Sequence, residues 1–221
     1  GQLTLAHSDA AIRNFRWRAE VNKHLGVRSE LVDRKTIGEI VPSLRMSEDA
    51  RFPILAGLWH EDGATARHDA VVWGYARGAC QRGVELHQLT EAQGIDIDQG
   101  RVVGVHTNRG RIRCAAVVQA VAGASSIVGR MAGLQLPIHS FPLQAMVTQP
   151  LKPLLDHVVS SGAYHVYANQ TLKGEIATGA HMDQWPNYTT QSTAYYIKHQ
   201  AEALSEFLPC LRGVKLMRIW G

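Results

Sequence analysis

Apolar and polar positions repeat along this chain with a period that shifts from stretch to stretch. Residues 3–6 read as a short strand, and Ser8 or Asp9 can cap the helix after it. In that helix Ile12 and Phe15 form one apolar strip, and Trp17, Val21 and Leu25 form another at i, i+4, i+8, with Gly26 as a stop. Residues 30–44 read as a strand or turn and then a short helix ending at Pro42. A second stretch opens near Phe52, with residues 57–60 as a strand and 61–65 as a loop. Residues 69–82 read as a helix with Val72, Tyr75, Ala76 and Ala79 on one face, stopped by Gly83. Residues 84–89 alternate like a strand; 102–105 and 112–114 are short strands about the turn 107–110. The continuous apolar run 116–121 reads as a strand buried on both faces, leading through a small-residue turn into a helix over 127–131.

The last third has a different texture. Residues 143–149, 158–169 and 175–180 read as longer strands, and 214–219 as a final one. Between them, 193–208 is an amphipathic helix with Ile197, Ala201, Leu204 and Leu208 on one face, ended by Pro209. Strands that follow one another with few helices predict an antiparallel sheet. The order sheet, α/β, sheet is that of a nucleotide-binding domain interleaved with a second domain, an α/β fold with α+β character.

Composition narrows the class. The 221 residues are 45% hydrophobic, enough for a packed core, and no window is apolar for long enough to cross a bilayer. The net charge of +4 is spread without a Lys/Arg run, so no nucleic-acid partner is expected. The N-terminus resembles neither a signal nor a transit peptide. Three widely spaced cysteines form no CxxC pair and fit a reducing cytoplasm, with neither a disulfide framework nor a zinc site.

Candidate chemistry falls in three places. In the segment 63–74, His68 lies at the mouth of a helix that Asp69 can cap. The positive end of a helix dipole disfavours imidazolium, leaving a ring nitrogen free as nucleophile, ligand or proton acceptor; alternatively His68 merely packs beside the cap. His60, Asp62, His68 and Asp69 are not ordered as a metal-ligand set, and no metal is expected. In 118–126, the small residues Ala122, Gly123, Ala124 and Ser125 let a ligand approach the backbone, or simply allow tight packing. Finally His165 and Tyr167 alternate on one strand, and Arg218 and Trp220 on another. Such faces line an anion-binding pocket, Arg taking a carboxylate between apolar rings, or form a half-exposed sheet face.

Taken together, the segments 63–76, 100–110, 121–126, 170–175 and 218–221 resemble the D-amino-acid oxidase superfamily of FAD-dependent oxidoreductases. Within it they are most similar to the beta subunits of heterotetrameric sarcosine oxidases. That resemblance implies oxidation of sarcosine, N-methylglycine, to glycine and a one-carbon unit that tetrahydrofolate accepts on another subunit. It implies a non-covalent FAD as hydride acceptor and an FMN that passes electrons to oxygen, giving hydrogen peroxide. The histidine carrying covalent FMN in that family matches His68. Residues 122–125 match its strand-to-helix flavin contact, and His165, Tyr167, Arg218 and Trp220 are the substrate-binding candidates; the catalytic residues are unassigned. Residues 51–133 are then a partial FAD-binding, Rossmann-like domain, and 1–50 and 134–221 segments of an antiparallel-sheet substrate domain.

Two departures shape the expectation. No Gly-x-Gly-x-x-Gly turn occurs, and the chain stops at Gly221, where the family continues back to the flavin. The chain is therefore read as a middle portion, truncated at both ends. Alone, it is expected to retain little or no flavin, to be inactive, and to self-associate through uncovered apolar surface. The rival readings are another amine or D-amino-acid oxidase of the superfamily, and a catalytically empty interaction fragment.

Overall fold

Ser8 starts the first helix by accepting a hydrogen bond from Ala11 N, and Gly26, at φ 75°, turns the chain out of it. In the computed structural model, which describes all of residues 1–221, the elements run in order. They are β1 (Gln2–Ala6), α1 (Asp9–His24), β2 (Ser29–Asp33), α2 (Arg34–Ile40), β3 (Ala56–His60) and α3 (His68–Cys80). Then come β4 (Ala92–Asp98), β5 (Arg101–Thr107), β6 (Gly110–Arg113), α4 (Ser125–Met131), β7 (Leu143–Thr148) and β8 (Val158–Ser161). The last are β9 (Val166–Gln170), β10 (Ile176–Met182), α5 (Ala194–Phe207) and β11 (Leu216–Trp220).

The chain forms two compact units. The first comprises Gly1–Thr65, Pro142–Gln184 and Thr189–Gly221. Its eight strands lie in the order β11-β7-β10-β9-β8-β1-β3-β2. All pairs are antiparallel except β1 with β8. The core joins Leu3 and Leu5 of β1, Ile37 of α2, Met146 of β7, Ile176 of β10, and Tyr196, Leu204 and Phe207 of α5. A smaller cluster packs Phe15 and Ala19 of α1 on Ala56 and Leu58 of β3. A Cβ on Gly57 would stand 2.8 Å from Leu3 Cδ1 and 3.2 Å from Ile37 Cδ1, so glycine is what lets α2 close on the sheet.

The second unit comprises Ala66–Phe141 and Trp185–Tyr188. It holds α3, α4 and the antiparallel sheet β4-β5-β6. Asp96 of β4 braces that sheet, binding His106 of β5 at 2.6 Å and Arg111 of β6 at 2.5 Å.

Several expectations are corrected. Residues 51–133 were assigned to the FAD-binding piece and 134–221 to the other, but β3 pairs between β1 and β2, residues up to Thr65 lie in the first unit, and 134–141 and 185–188 lie in the second. Residues 84–89 and 116–121 are not strands, because neither finds a ladder partner; Val118 is 92% exposed. An apolar run says what could be buried but does not supply the hydrogen-bonding neighbour. The run 158–169 is two strands, divided by the turn at 162–165. Trp17 and Leu25 are exposed, and α1 buries Phe15 and Ala19 instead.

Candidate functional site

In an antiparallel pair, residues directly opposite each other point to the same face. Tyr167 stands opposite Gly179, Gly179 opposite Ala145, and Ala145 opposite Trp220. One row across β9, β10, β7 and β11 is thus an aromatic ring, two small residues and a second aromatic ring. The walls stand roughly 14 Å apart, three strand spacings. A Cβ on Gly179 would meet the Gln144 carbonyl oxygen at 2.8 Å and Tyr167 Oη at 2.9 Å. The tyrosine therefore leans over a position that tolerates no side chain, and burial pushes its phenol above the ordinary value. Arg218, opposite Val147, lies on the same face with its guanidinium 4.9 Å from the Trp220 ring centroid. A slot with small floor residues, aromatic walls and an exposed guanidinium suits a small molecule bearing a carboxylate.

The structure places Tyr167, Arg218 and Trp220 on one face of the sheet, Arg218 against Trp220 and Tyr167 three strands away, and separates His165 from them. His165 lies before β9 at φ 49°, so strand alternation does not reach it. Its ring is instead 6.3 Å from His181, which stacks on His199 at 5.9 Å and lies 5.8 Å from Tyr195. His181 sits where β10 slips register between Gly179 and Met182, next to Ala180 at φ 106°. Burial chiefly, and then the neighbouring His199 and His165, hold its imidazole below the ordinary histidine value, against the pull of Asp183. Sequence reading missed His181 and His199. The only local signal was their identity, since the slip that presents His181 is set by pairing with β7.

In the second unit His68 is the first residue of α3 and is exposed. Its neighbour Asp69 does not cap the helix, as the sequence suggested. The N-cap is Arg67, which makes no side-chain cap bond, and Asp69 pairs with Arg67 at 2.8 Å. His68 is sterically open to a bulky electrophile. Farther on, Ala122 adopts φ 43°, and Ala122–Ala124 form a single 3-10 turn leading into α4. Ser125 Oγ donates to the Ala122 carbonyl at 2.7 Å and Ser140 Oγ to the Gly123 carbonyl at 2.5 Å. A Cβ at Gly123 would meet only Ser140 Oγ, at 3.9 Å, so the backbone there is approachable. Beside it lies an open cleft of about 740 Å³, lined by Ser126, Arg130, His139, Ser140 and Tyr188. No group of three or more His, Cys, Asp or Glu is arranged to hold a metal ion. No helix is long and apolar enough to cross a membrane.

The chain thus pairs a unit built on a mixed eight-stranded sheet with a unit that holds a three-stranded sheet and an open small-residue turn. The chain belongs to the FAD dependent oxidoreductase family, DAO, which matches residues 1–221. Over 221 residues it is 44% identical to sarcosine oxidase subunit beta of Rhizobium meliloti (strain 1021) and 39% identical to that of Rhodobacter capsulatus. Each match takes in 100% of this chain and 53% of the relative, so the chain spans about half the length of these curated relatives. Among solved structures, L-proline dehydrogenase from P. horikoshii superposes with a TM-score of 0.87 at 28% identity, covering 99% of this chain and 58% of that one. Glycine oxidase from Geobacillus kaustophilus shares the fold, with a TM-score of 0.81 at 16% identity over 100% of this chain and 57% of that one.

Proposed function

We propose that this chain carries the amino-acid slot and the FMN attachment point of a flavin-dependent sarcosine oxidase beta subunit. The observation that carries the reading is the slot of Tyr167, Gly179, Ala145, Trp220 and Arg218 in a chain 44% identical to such a subunit. Arg218 takes the substrate carboxylate as a charge-assisted pair, while Tyr167 and Trp220 enclose the short aliphatic part. The first unit is the substrate domain, and the second supplies the flavin side, with Ala122, Gly123, Ala124 and Ser125 against FAD. His68 would hold FMN, and the two flavins would supply hydride acceptance from the amine-bearing carbon and an outlet of electrons to oxygen, reduced to hydrogen peroxide. Other sarcosine oxidase subunits complete the assembly. The three free cysteines agree with a reducing cytoplasm.

The test is made on the assembled enzyme. Anaerobic sarcosine should bleach the visible flavin band, and acid precipitation should leave one flavin in the pellet and release another. In His68→Ala the pellet should be colourless while acid-released FAD remains and is still reduced by substrate. Colour that stays with the pellet would place the attachment elsewhere, with His60 the next histidine to test. A second reading, a cyclic secondary amino acid as substrate, is favoured by the 28% identity to L-proline dehydrogenase. Comparing kcat/KM for sarcosine and L-proline separates the two.

A further inference from the structure

Behind the slot, on the opposite face of the sheet, α5 places one polar side chain in the core. Gln200 is 1% exposed. Its Nε2 donates to Thr178 Oγ1 at 2.8 Å and to the Gly179 carbonyl at 3.1 Å. Thr178 Oγ1 in turn donates to the backbone carbonyl of Tyr167 at 2.6 Å. One carboxamide therefore holds, directly or through one hydroxyl, both the floor of the slot and the backbone of its tyrosine wall. It does so at the last regular pair of β10, before the register slips and Ala180 takes φ 106°.

Gln200 Oε1 is buried and has no hydrogen-bond partner. If the residue only filled space, an unbranched apolar side chain of similar length would do so without burying an unpaired acceptor. What the glutamine adds is its pair of N–H donors, and both go to the β10 segment that shapes the slot. Tyr196, one helical turn earlier and fully buried, points into the same layer without supplying a donor to β10. That leaves Gln200 as the α5 side chain that hydrogen-bonds to β10.

We infer that Gln200 is a positioning residue for the amino-acid slot, fixing Tyr167 and Gly179 from behind through Thr178 Oγ1 and the Gly179 carbonyl. The kinetic part of its test rests on the amine-oxidase reading; the spectroscopic part does not.

In the assembled holoenzyme, Gln200→Met keeps length and loses both donors, and Thr178→Val keeps shape and loses the relay to Tyr167. Each variant should raise KM for sarcosine about tenfold, with a smaller change in kcat, because small displacements of positioning groups are felt strongly. The double variant should be no worse than the poorer single one, since both break the same relay. The melting temperature of Gln200→Met should hold or rise, as the orphaned acceptor is gone. With 3-fluorotyrosine incorporated at position 167, the fluorine resonance should shift or broaden in both variants. An unmoved resonance in both, or a fall in stability that takes kcat and KM down together in Gln200→Met while Thr178→Val behaves as wild type, overturns the inference. If the wild-type enzyme is not reduced by sarcosine or proline, the oxidase reading fails instead, and the fluorine signal still decides the role of Gln200.

Discussion

The two units spend their apolar residues in opposite ways. Every buried hydrophobic side chain of the protein belongs to the first unit. In the second, α3 buries none of its residues: Trp73 is 68% and Tyr75 79% exposed, and β6 is exposed throughout. Yet α3 is richer in apolar residues than α1, which does bury Phe15 and Ala19. Helical pattern and burial are thus separate properties, and most helical stability comes from the packing partner rather than from the helix's own sequence. The first unit carries its partners in its own sheet. The second is held by local pairing, Asp96 with His106 and Arg111, and by short loop contacts.

The sharpest way to break this comparison is a matched pair of truncations. Phe207→Ala removes a buried ring from the first unit's core and should cost about 3–5 kcal/mol. Trp73→Ala removes an exposed ring from α3 and should change stability by no more than about 0.5 kcal/mol. Denaturant melts of both variants measure this. Equal losses would mean that α3 is covered in solution.

Within the first unit, Gly179→Ala probes the slot. The added Cβ meets the Gln144 carbonyl, which cannot yield, and Tyr167 Oη, which can move only by leaving the slot. A cost of about 1–3 kcal/mol is expected, together with, on the function proposed above, weaker binding of an amino-acid substrate. Calorimetric melting and KM for sarcosine check the two halves.

Elements of both units were legible in the sequence, including α3, α4, β5 and β6 of the second. The helices α1, α2 and α5 and the strands β1, β3, β7 and β10 were readable because each carries its own period and buries one face. Strand β4 was not foreseen, although Ile95 and Ile97 alternate with Asp96 and Asp98. The runs 84–89 and 116–121 were read as strands because their composition is right, but pairing is non-local and no partner comes to them. Of the site, Arg218 and Trp220 were readable as a same-face pair. Their sharing a face with Tyr167 depends on β10 and β7 lying between, a strand order that no local pattern encodes. His165 was misplaced because its left-handed backbone breaks the alternation. Gln200 was invisible because a polar residue on a helix reads as solvent-facing until the core is seen around it.

Acid should act on the first unit through its histidines. His7 donates from Nδ1 to the Phe52 and Pro53 carbonyls, at 2.9 and 3.1 Å, leaving Nε2 to accept from Ser161 Oγ at 2.8 Å. Burial, chiefly, holds its imidazole below the ordinary value of 6.5, and His157 and His181 shift the same way. The unfolded chain therefore binds protons first. Stability is fully present above about pH 6.5 and falls as the pH drops below it through the lower folded values. Urea melts across that range should show the fall, and His7→Gln, which keeps a donor but cannot take a proton, should make it shallower. An unchanged slope would remove His7 from the account.

The smallest contrast is between helix starts. In the first unit, Thr193 Oγ1 accepts from Tyr196 N at 3.2 Å and so caps α5. Gln144 reinforces the same corner: its Oε1 accepts from Thr193 N at 2.9 Å and Ser192 Oγ at 2.7 Å, and its Nε2 donates to Asp183. Thr193→Ala should cost about 1 kcal/mol, the usual worth of a lost cap. In the second unit α3 starts at Arg67 without a side-chain cap. Asp69 there is partly exposed and engaged with Arg67, which holds its carboxyl below the ordinary range. Asp69→Asn removes a screened surface pair and a favourable charge in the first turn, an effect smaller than the lost cap and reduced by salt. Hydrogen exchange at the first turn of each helix reads both effects separately. Amides of α5 should lose protection in Thr193→Ala at any ionic strength. Those of α3, already open, should change little in Asp69→Asn, and not at all in high salt. A loss at α3 as large as that at α5 would show that Asp69 does cap its helix and that the two helix starts are alike.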